Sequence, residues 1–315
     1  MKLGKKIINV LLCIGLLTIN TIPAFAEVDE LWGVPFLAYG ASLNESQRDE
    51  ILELFGLTGL VQDEDFEAIY VTGDDLVYFL GMGNPNSNML SSVIIRHRAP
   101  GTGVEVDILT PDYITRVTAT QYATAMITAG VTDALVEVAA PTAVTGEAAL
   151  TGIYKAFAER GVELDPKRMA VAQEQLQIMA GIANDLAYHR DFDSELLDSA
   201  VMELQGKLAD HYEQTGRVAT PDEIAEFVSN VLSRHNLQDL LTHEHIERLR
   251  GFAGNFQLTD AIRSQEFRDQ LSSLGNRIGN AIGNINLDRV NLDIDRGVIA
   301  NWWHSIVEWF RGLFN

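Results

Sequence analysis

Apolar residues recur along this chain with two different periods, and the change falls near residue 165. Before it, short apolar runs bounded by glycine, proline and aspartate alternate with helix-length stretches. After it, apolar positions step by threes and fours, the spacing of one face of a helix. The first run, Leu31 to Tyr39, is closed by Gly40. Ser42 stands three residues before Glu45, the arrangement of a capping box, and Ile51, Leu52 and Phe55 predict a helix over 43–55 that Gly56 stops. Phe66 to Val71 reads as a strand, Gly73-Asp74-Asp75 as a turn before a short apolar run to Leu80, and the segment 81–88 as a loop.

Ser92 to Arg98 and Gly103 to Leu109 flank Ala99-Pro100-Gly101-Thr102, a turn by composition, so a β-hairpin is expected. Val93, Ile95 and His97 then share one side of the first arm, and Ile94, Arg96 and Arg98 the other. Glu105 and Asp107 on the second arm face Arg96 and Arg98 across the strands, which makes a favourable wetted face without any ligand. Thr118 and Gln121 precede a helix over 119–128 ended by Gly130, and Ala134 to Ala139 is a β-rich run followed by Pro141. Leu150, Ile153, Tyr154 and Phe157 make one stripe of a helix over 147–160, with Gly161 as its stop.

Asp165-Pro166 and Thr220-Pro221-Asp222-Glu223 each place a capping side chain before a proline at the first helical position. Helical patterns follow over 167–189, 193–215, 223–235 and 240–250, and Phe267, Leu271, Leu274, Ile278 and Ile282 continue the same steps. The expected architecture is an α+β or α/β domain with a mixed sheet over 30–162, then a helical region over 165–253. A helical to asparagine-rich linker over 254–297 and an amphipathic aromatic tail over 298–315 complete it. In the tail, Trp302, Trp303, Ile306, Trp309, Phe310, Leu313 and Phe314 cover most of a short helix. Such a helix suits a membrane interface, a partner's groove or the protein's own core.

The N-terminus adds a destination. Lys2, Lys5 and Lys6, an apolar run from Ile7 to Ile19, and Ala24-Phe25-Ala26 follow the order of a secretory signal peptide over 1–26. The run holds about a dozen residues, short of the roughly 20 that span a bilayer. Cys13, the one cysteine, lies inside it, so a mature chain of 289 residues (315 less 26) holds no disulfide and depends on a packed core. Removing the three lysines of the segment leaves 20 of 23 basic residues against 44 acidic ones, a net charge near −24. A surface of that sign repels nucleic acid, and no nucleic-acid partner is expected.

Several segments carry a likeness: Tyr39-Gly40-Ala41-Ser42-Leu43, Ser91-Ser92-Val93-Ile94-Ile95, Gly101-Thr102-Gly103-Val104, the run Tyr122 to Asp133, and above all Ala139-Ala140-Pro141-Thr142-Ala143-Val144-Thr145-Gly146-Glu147-Ala148-Ala149-Leu150. With these the chain resembles the YpuA-like proteins, an uncharacterised exported family of Gram-positive bacteria, over roughly residues 30 to 250. The resemblance implies an extracytoplasmic role in the envelope of such a bacterium. It transfers no catalytic or binding residue.

The most site-like segment is Pro141 to Glu147, which joins a strand to a helix. Backbone N–H groups at the helix start and the hydroxyls of Thr142 and Thr145 can converge there on an anion or polar ligand, with Gly146 allowing close approach; alternatively, Thr145 is only the helix cap. Ser91 and Ser92, with His97 and Asp107, supply the residue types of an acyl-transfer triad. On the hairpin register, however, His97 and Asp107 point to opposite sides, and no nucleophile elbow is present. His243 and His245 are spaced too closely for one metal, while Asp63-Glu64-Asp65 and Asp288, Asp293 and Asp295 miss the calcium-loop spacing. No phosphate-loop or dinucleotide fingerprint occurs, so neither cofactor nor metal is expected.

The expectation is an exported, envelope-associated binding protein rather than an enzyme. Its partner is a cell-wall polymer or surface protein held near Thr142, Thr145, Gly146 and Glu147 with Ser91 and Ser92, with peripheral membrane contact through the tail. A hydrolase of envelope material and a structural or assembly protein are the alternatives.

Overall fold

The computed structural model of the chain describes residues 32–81, 83–146 and 149–284, the last six by their backbone alone. The signal-peptide segment, Glu147, residues 285–297 and the aromatic tail therefore lie outside the described residues.

Five strands and four helices make the first half: β1 (Phe36–Gly40), α1 (Glu45–Leu54), β2 (Glu67–Val71), α2 (Gly73–Leu80), β3 (Ser92–His97), β4 (Glu105–Ile108), α3 (Ala119–Ala129), β5 (Ala134–Ala139) and α4 (Ala149–Glu159). The strands form one mixed sheet in the order β2-β1-β3-β5-β4. β1 runs parallel to β2 and β5 parallel to β4, whereas β3 is antiparallel to both of its neighbours.

The hairpin expected from residues 92–109 does not form. β5 enters between its two arms, pairing Ile95 with Val136 on one edge and Val106 with Val136 on the other. The reason lies in burial: Val93, Ile94 and Ile95 are consecutive and all buried, so β3 is covered on both faces and needs an apolar strand beside it. The Val136–Val138 stretch of β5 supplies that strand; the acidic β4 does not. The charge pairing survives in altered form. Arg98 still reaches Glu105, at 2.5 Å, while Arg96 pairs with Glu137 of β5 instead of β4.

Two further local readings are corrected. Asn44 rather than Ser42 caps α1, closing a capping box with Gln47, because the Ser42 hydroxyl is taken by the Met89 amide at 3.0 Å. Gly73-Asp74-Asp75 is the first turn of α2 rather than a free turn: Thr72 caps it and Asp75 returns the bond to the Thr72 amide. The signature is that of Thr118 and Gln121 at α3, but glycine and two aspartates disguise it as a loop.

The helical half contains α5 (Pro166–Asp185), α6 (Ser194–Thr215), α7 (Pro221–Arg234), α8 (His243–Phe256), a 3-10 turn at Asp260–Arg263 and α9 (Gln265–Asn284). Asp165 and Thr220 cap α5 and α7 as expected; α8 starts at His243 rather than Leu240, because Thr242 caps it with a box to His245.

The two faces of the sheet are covered unequally. Phe36, Ala38, Val93, Ile95, Val106, Val136 and Val138 turn to one side and join a single core that continues through α2, α3 and α4 into α5, α6, α8 and α9. Leu37, Tyr39, Ile94 and Ala139 turn to the other and meet Ile51 of α1 and Phe55 at its C-terminal cap. Beyond α1 that second face carries the charges of Arg96, Glu137 and Asp107. α3 is buried along Gln121–Ala129 and sits between the sheet and the outer helices, where its alanines and threonines permit close approach.

Candidate functional site

The directions of the strands bring the C-terminal ends of β1, β2, β4 and β5 and the N-terminal end of β3 to one edge of the sheet. In open sheets of this kind, ligands bind outside the carboxyl ends of the strands. The register places Ser92 opposite Ala139, so Ser91 and Ser92 lie beside the chain that continues as Ala140, Pro141 and Thr142. Two groups read separately from the sequence are thus neighbours at this edge.

Several of the expected site atoms have structural work there. Ser92 is 1% exposed, and its hydroxyl accepts from the Gly40 amide at 3.3 Å, tying β3 to the end of β1. Gly40 is required by its surroundings, since a Cβ would run into the Met89 carbonyl. Ser91 is buried as well. The Ala140 amide donates to the Thr110 hydroxyl at 2.9 Å, and the Val144 amide to the Tyr113 carbonyl at 3.0 Å. Two of the loop's N–H groups are therefore committed to the segment after β4. Gly146 is buried with φ +89, and the Tyr122 hydroxyl donates to its carbonyl. A Cβ at that position would lie 2.8 Å from the Tyr122 hydroxyl, so packing and backbone sign both demand glycine.

Thr142 is half-buried and Thr145 exposed. α4 is described from Ala149, whose amide donates to the Gly146 carbonyl at 3.1 Å. Glu147, the remaining residue of this group, is outside the described residues. What the edge presents outward is the Thr142 and Thr145 pair with Tyr113, which is 40% exposed. Thr110 and Tyr113 were missed by sequence reasoning: no motif marks them, and only the β4–β5 pairing brings them to the loop.

A second polar group stands at the same edge beside β2. Lys155 Nζ donates to the Tyr70 carbonyl at 2.9 Å and to Asp75 Oδ2 at 2.8 Å. Burial raises the Asp75 carboxyl, but donors from Lys155 and Thr72 outweigh it and hold the group below its ordinary value.

The triad residue types do not converge. Ser92 and His97 occupy opposite ends of β3, about 16 Å apart at the usual rise per residue. His97 stacks on Trp32 with ring centres 5.6 Å apart. Asp107 pairs with Glu137 in the register, and burial together with Glu105 and Glu137 pushes its carboxyl up. The histidines of the helical half are dispersed: His235 Nε2 lies 2.8 Å from buried Glu203, and His245 Nε2 lies 3.2 Å from Asp185. Asp65 of the acidic turn accepts from the Val61 amide at 2.8 Å. Among the described residues no group of three or more histidine, aspartate or glutamate side chains is arranged to hold a metal ion, and no helix is long and apolar enough to cross a membrane.

A mixed-sheet region followed by a largely helical region, sharing one core, defines the class of protein. Residues 39–274 match the family described as "Protein of unknown function (DUF1002)", and the chain belongs to that family of YpuA-like proteins of Gram-positive bacteria. It is similar to "Uncharacterized protein YpuA" of Bacillus subtilis (strain 168), 30% identical over 156 residues, which cover 47% of this chain and 51% of that protein. The chain thus spans about half the length of this curated relative. No solved structure matches the chain.

Proposed function

We propose that the protein is exported and acts at the cell envelope by binding, with a cell-wall polymer or a surface protein held at the C-terminal edge of the sheet. The observation that carries this reading is the register of Ser92 opposite Ala139, which sets Ser91–Ser92 beside the strand end that leads into the Pro141–Thr145 segment. Loops there are braced by Ser92, Thr110 and Tyr122, which leaves Thr142, Thr145 and Tyr113 as a rigid polar rim for hydroxyl-rich or amide-rich ligands. The signal-peptide pattern of residues 1–26 supports export, and Trp302, Trp303, Ile306, Trp309, Phe310 and Leu313 supply a second contact, with membrane or partner.

Co-sedimentation of the mature chain with purified cell walls and with membrane vesicles tests this. The protein is expected in the wall pellet, with Thr142→Lys and Thr145→Lys together lowering the bound fraction about tenfold. Truncation after Gly297 is expected to abolish vesicle binding and leave wall binding intact. Equal wall binding by the parent and the double variant would remove the loop from the site, and a protein that pellets with neither material would remove the envelope-binding reading.

A further inference from the structure

We propose that the open edge of β2 is a docking site for an extended, positively charged polypeptide segment, which adds to the sheet as a further strand. Among the described residues β2 is the outermost strand on its side, with an isolated bridge between Gln62 and Phe66 just before its start. The Glu67 amide donates to Pro35 at 3.0 Å and the Val71 carbonyl accepts from Ala41 at 2.9 Å, both toward β1. Successive residues of a strand turn their N–H and C=O groups to opposite edges. Ala68 and Tyr70 therefore present theirs to the open side. Lys155 fills the Tyr70 carbonyl, and the amide and carbonyl of Ala68 and the amide of Tyr70 remain in position to pair.

Proteins blunt such edges with lysine, proline, bulges or a covering segment. The opposite edge strand, β4, carries Glu105 and Asp107, and Arg277 of α9 reaches the carbonyls of Thr102 and Val104 just before it. β2 reads Glu67-Ala68-Ile69-Tyr70-Val71, with neither lysine nor proline. Of the eight exposed large hydrophobic residues among those described, five lie near it in sequence, Leu60, Val61, Tyr70, Val77 and Tyr78, with Tyr78 81% exposed.

Charge decides the occupant. Between Arg48 and Arg96 there are nine acidic residues and no lysine or arginine. Arg160, just after α4, offsets Glu67 at 3.1 Å and Lys155 of α4 offsets Asp75, while Asp63, Glu64 and Asp74 stay exposed. A second copy paired edge to edge would set these exposed acids against one another, whereas a basic strand is attracted to Asp63, Glu64 and Asp74. Backbone pairing at Ala68 supplies affinity, and Tyr70, stacked on Tyr39, meets the apolar side chains on one face of the guest.

The test uses the full mature chain and a fluorescent peptide of about nine residues alternating lysine and valine, with a glutamate–valine peptide as its counterpart. Anisotropy is expected to report salt-dependent binding of the lysine peptide alone. Ala68→Pro removes the outward N–H without touching the β1 ladder and should weaken binding at least about tenfold. Should Ala68→Pro fail to fold by circular dichroism, Tyr70→Lys applies the same test through charge. Equal binding of the two peptides, or binding unchanged in the folded variant, overturns the proposal. So does a concentration-dependent dimer in sedimentation velocity that Ala68→Pro dissolves, since the occupant would then be a second copy.

Discussion

Asp198, in the second turn of α6, is 1% exposed and carries a carboxyl between two donors. The Thr118 hydroxyl lies at 2.6 Å from one oxygen and Gln121 Nε2 at 2.8 Å from the other. Burial pushes the group up to about 7, the two donors pull it down, and Glu195 and Asp193 add to the upward push. A folded-state value above the unfolded one of about 3.8 gives a contribution to stability that is complete below 3.8 and lost as pH rises through about 7. Asp198→Asn keeps an acceptor for Gln121 and a donor for Thr118 while removing the charge. Relative to the parent, the variant should therefore gain stability steadily from pH 4.5 to 7.5, by a total on the order of a few kcal/mol, and level off above. Urea unfolding at four pH values reads this directly, and a gap that stays flat with pH contradicts the assignment. Asp198 was not legible in the sequence: at a helical position among apolar residues it reads as one more solvated acid, and only the approach of α6 to the start of α3 buries it.

At the scale of elements, α3 links the two halves because it is fastened at both ends. Thr118 caps its N-terminus, and the Arg168 guanidinium of α5 donates to the carbonyls of Thr128 at 2.7 Å and Ile127 at 3.0 Å at its C-terminus. At the same end, the Thr128 hydroxyl meets Gln175 of α5 at 2.9 Å and Gln205 of α6 at 2.8 Å. A buried polar cluster of this kind fixes the register of three helices, since any slip leaves donors unpaired. Arg168→Met leaves two carbonyls without their charged donor and is expected to lower stability by about 2–3 kcal/mol, read as a reduced urea midpoint with unchanged slope. Arg168→Lys, with a single-point donor, should recover only part of the loss. The Thr118 and Gln121 cap was readable from spacing alone. The Arg168 contact was not, because its partners are backbone atoms some 40 residues away, which no side-chain pattern encodes.

At the scale of the molecule, one apolar core runs from Trp32 and the sheet face through α3 into Phe252, Phe256 and Phe267. A shared core of this kind predicts one cooperative unfolding transition for both halves. Trp32 is buried in the sheet half, so in a chain carrying Trp302→Phe, Trp303→Phe and Trp309→Phe its emission reports that half, while far-ultraviolet circular dichroism follows the helices. The two signals should change at the same urea concentration; separated midpoints would mean that the halves are independent domains.

The sequence by itself determined what depends on near neighbours: most of the helices and their caps, the alternation that sends Val93 and Ile95 to one face and Ile94 and Arg96 to the other, and the strongly acidic balance. These follow from interactions spanning a few residues, and there the pattern and the structure agree. Only the tertiary structure decided the order of the strands, the insertion of β5 between β3 and β4, and the placing of Ser92 opposite Ala139, at the start of the chain that leads to Thr142. A strand's partner is chosen by competition for burial among distant segments. Local turn chemistry at Pro100-Gly101 favoured the nearest partner, while the consecutive apolar residues of β3 were best covered by an equally apolar strand some forty residues further on.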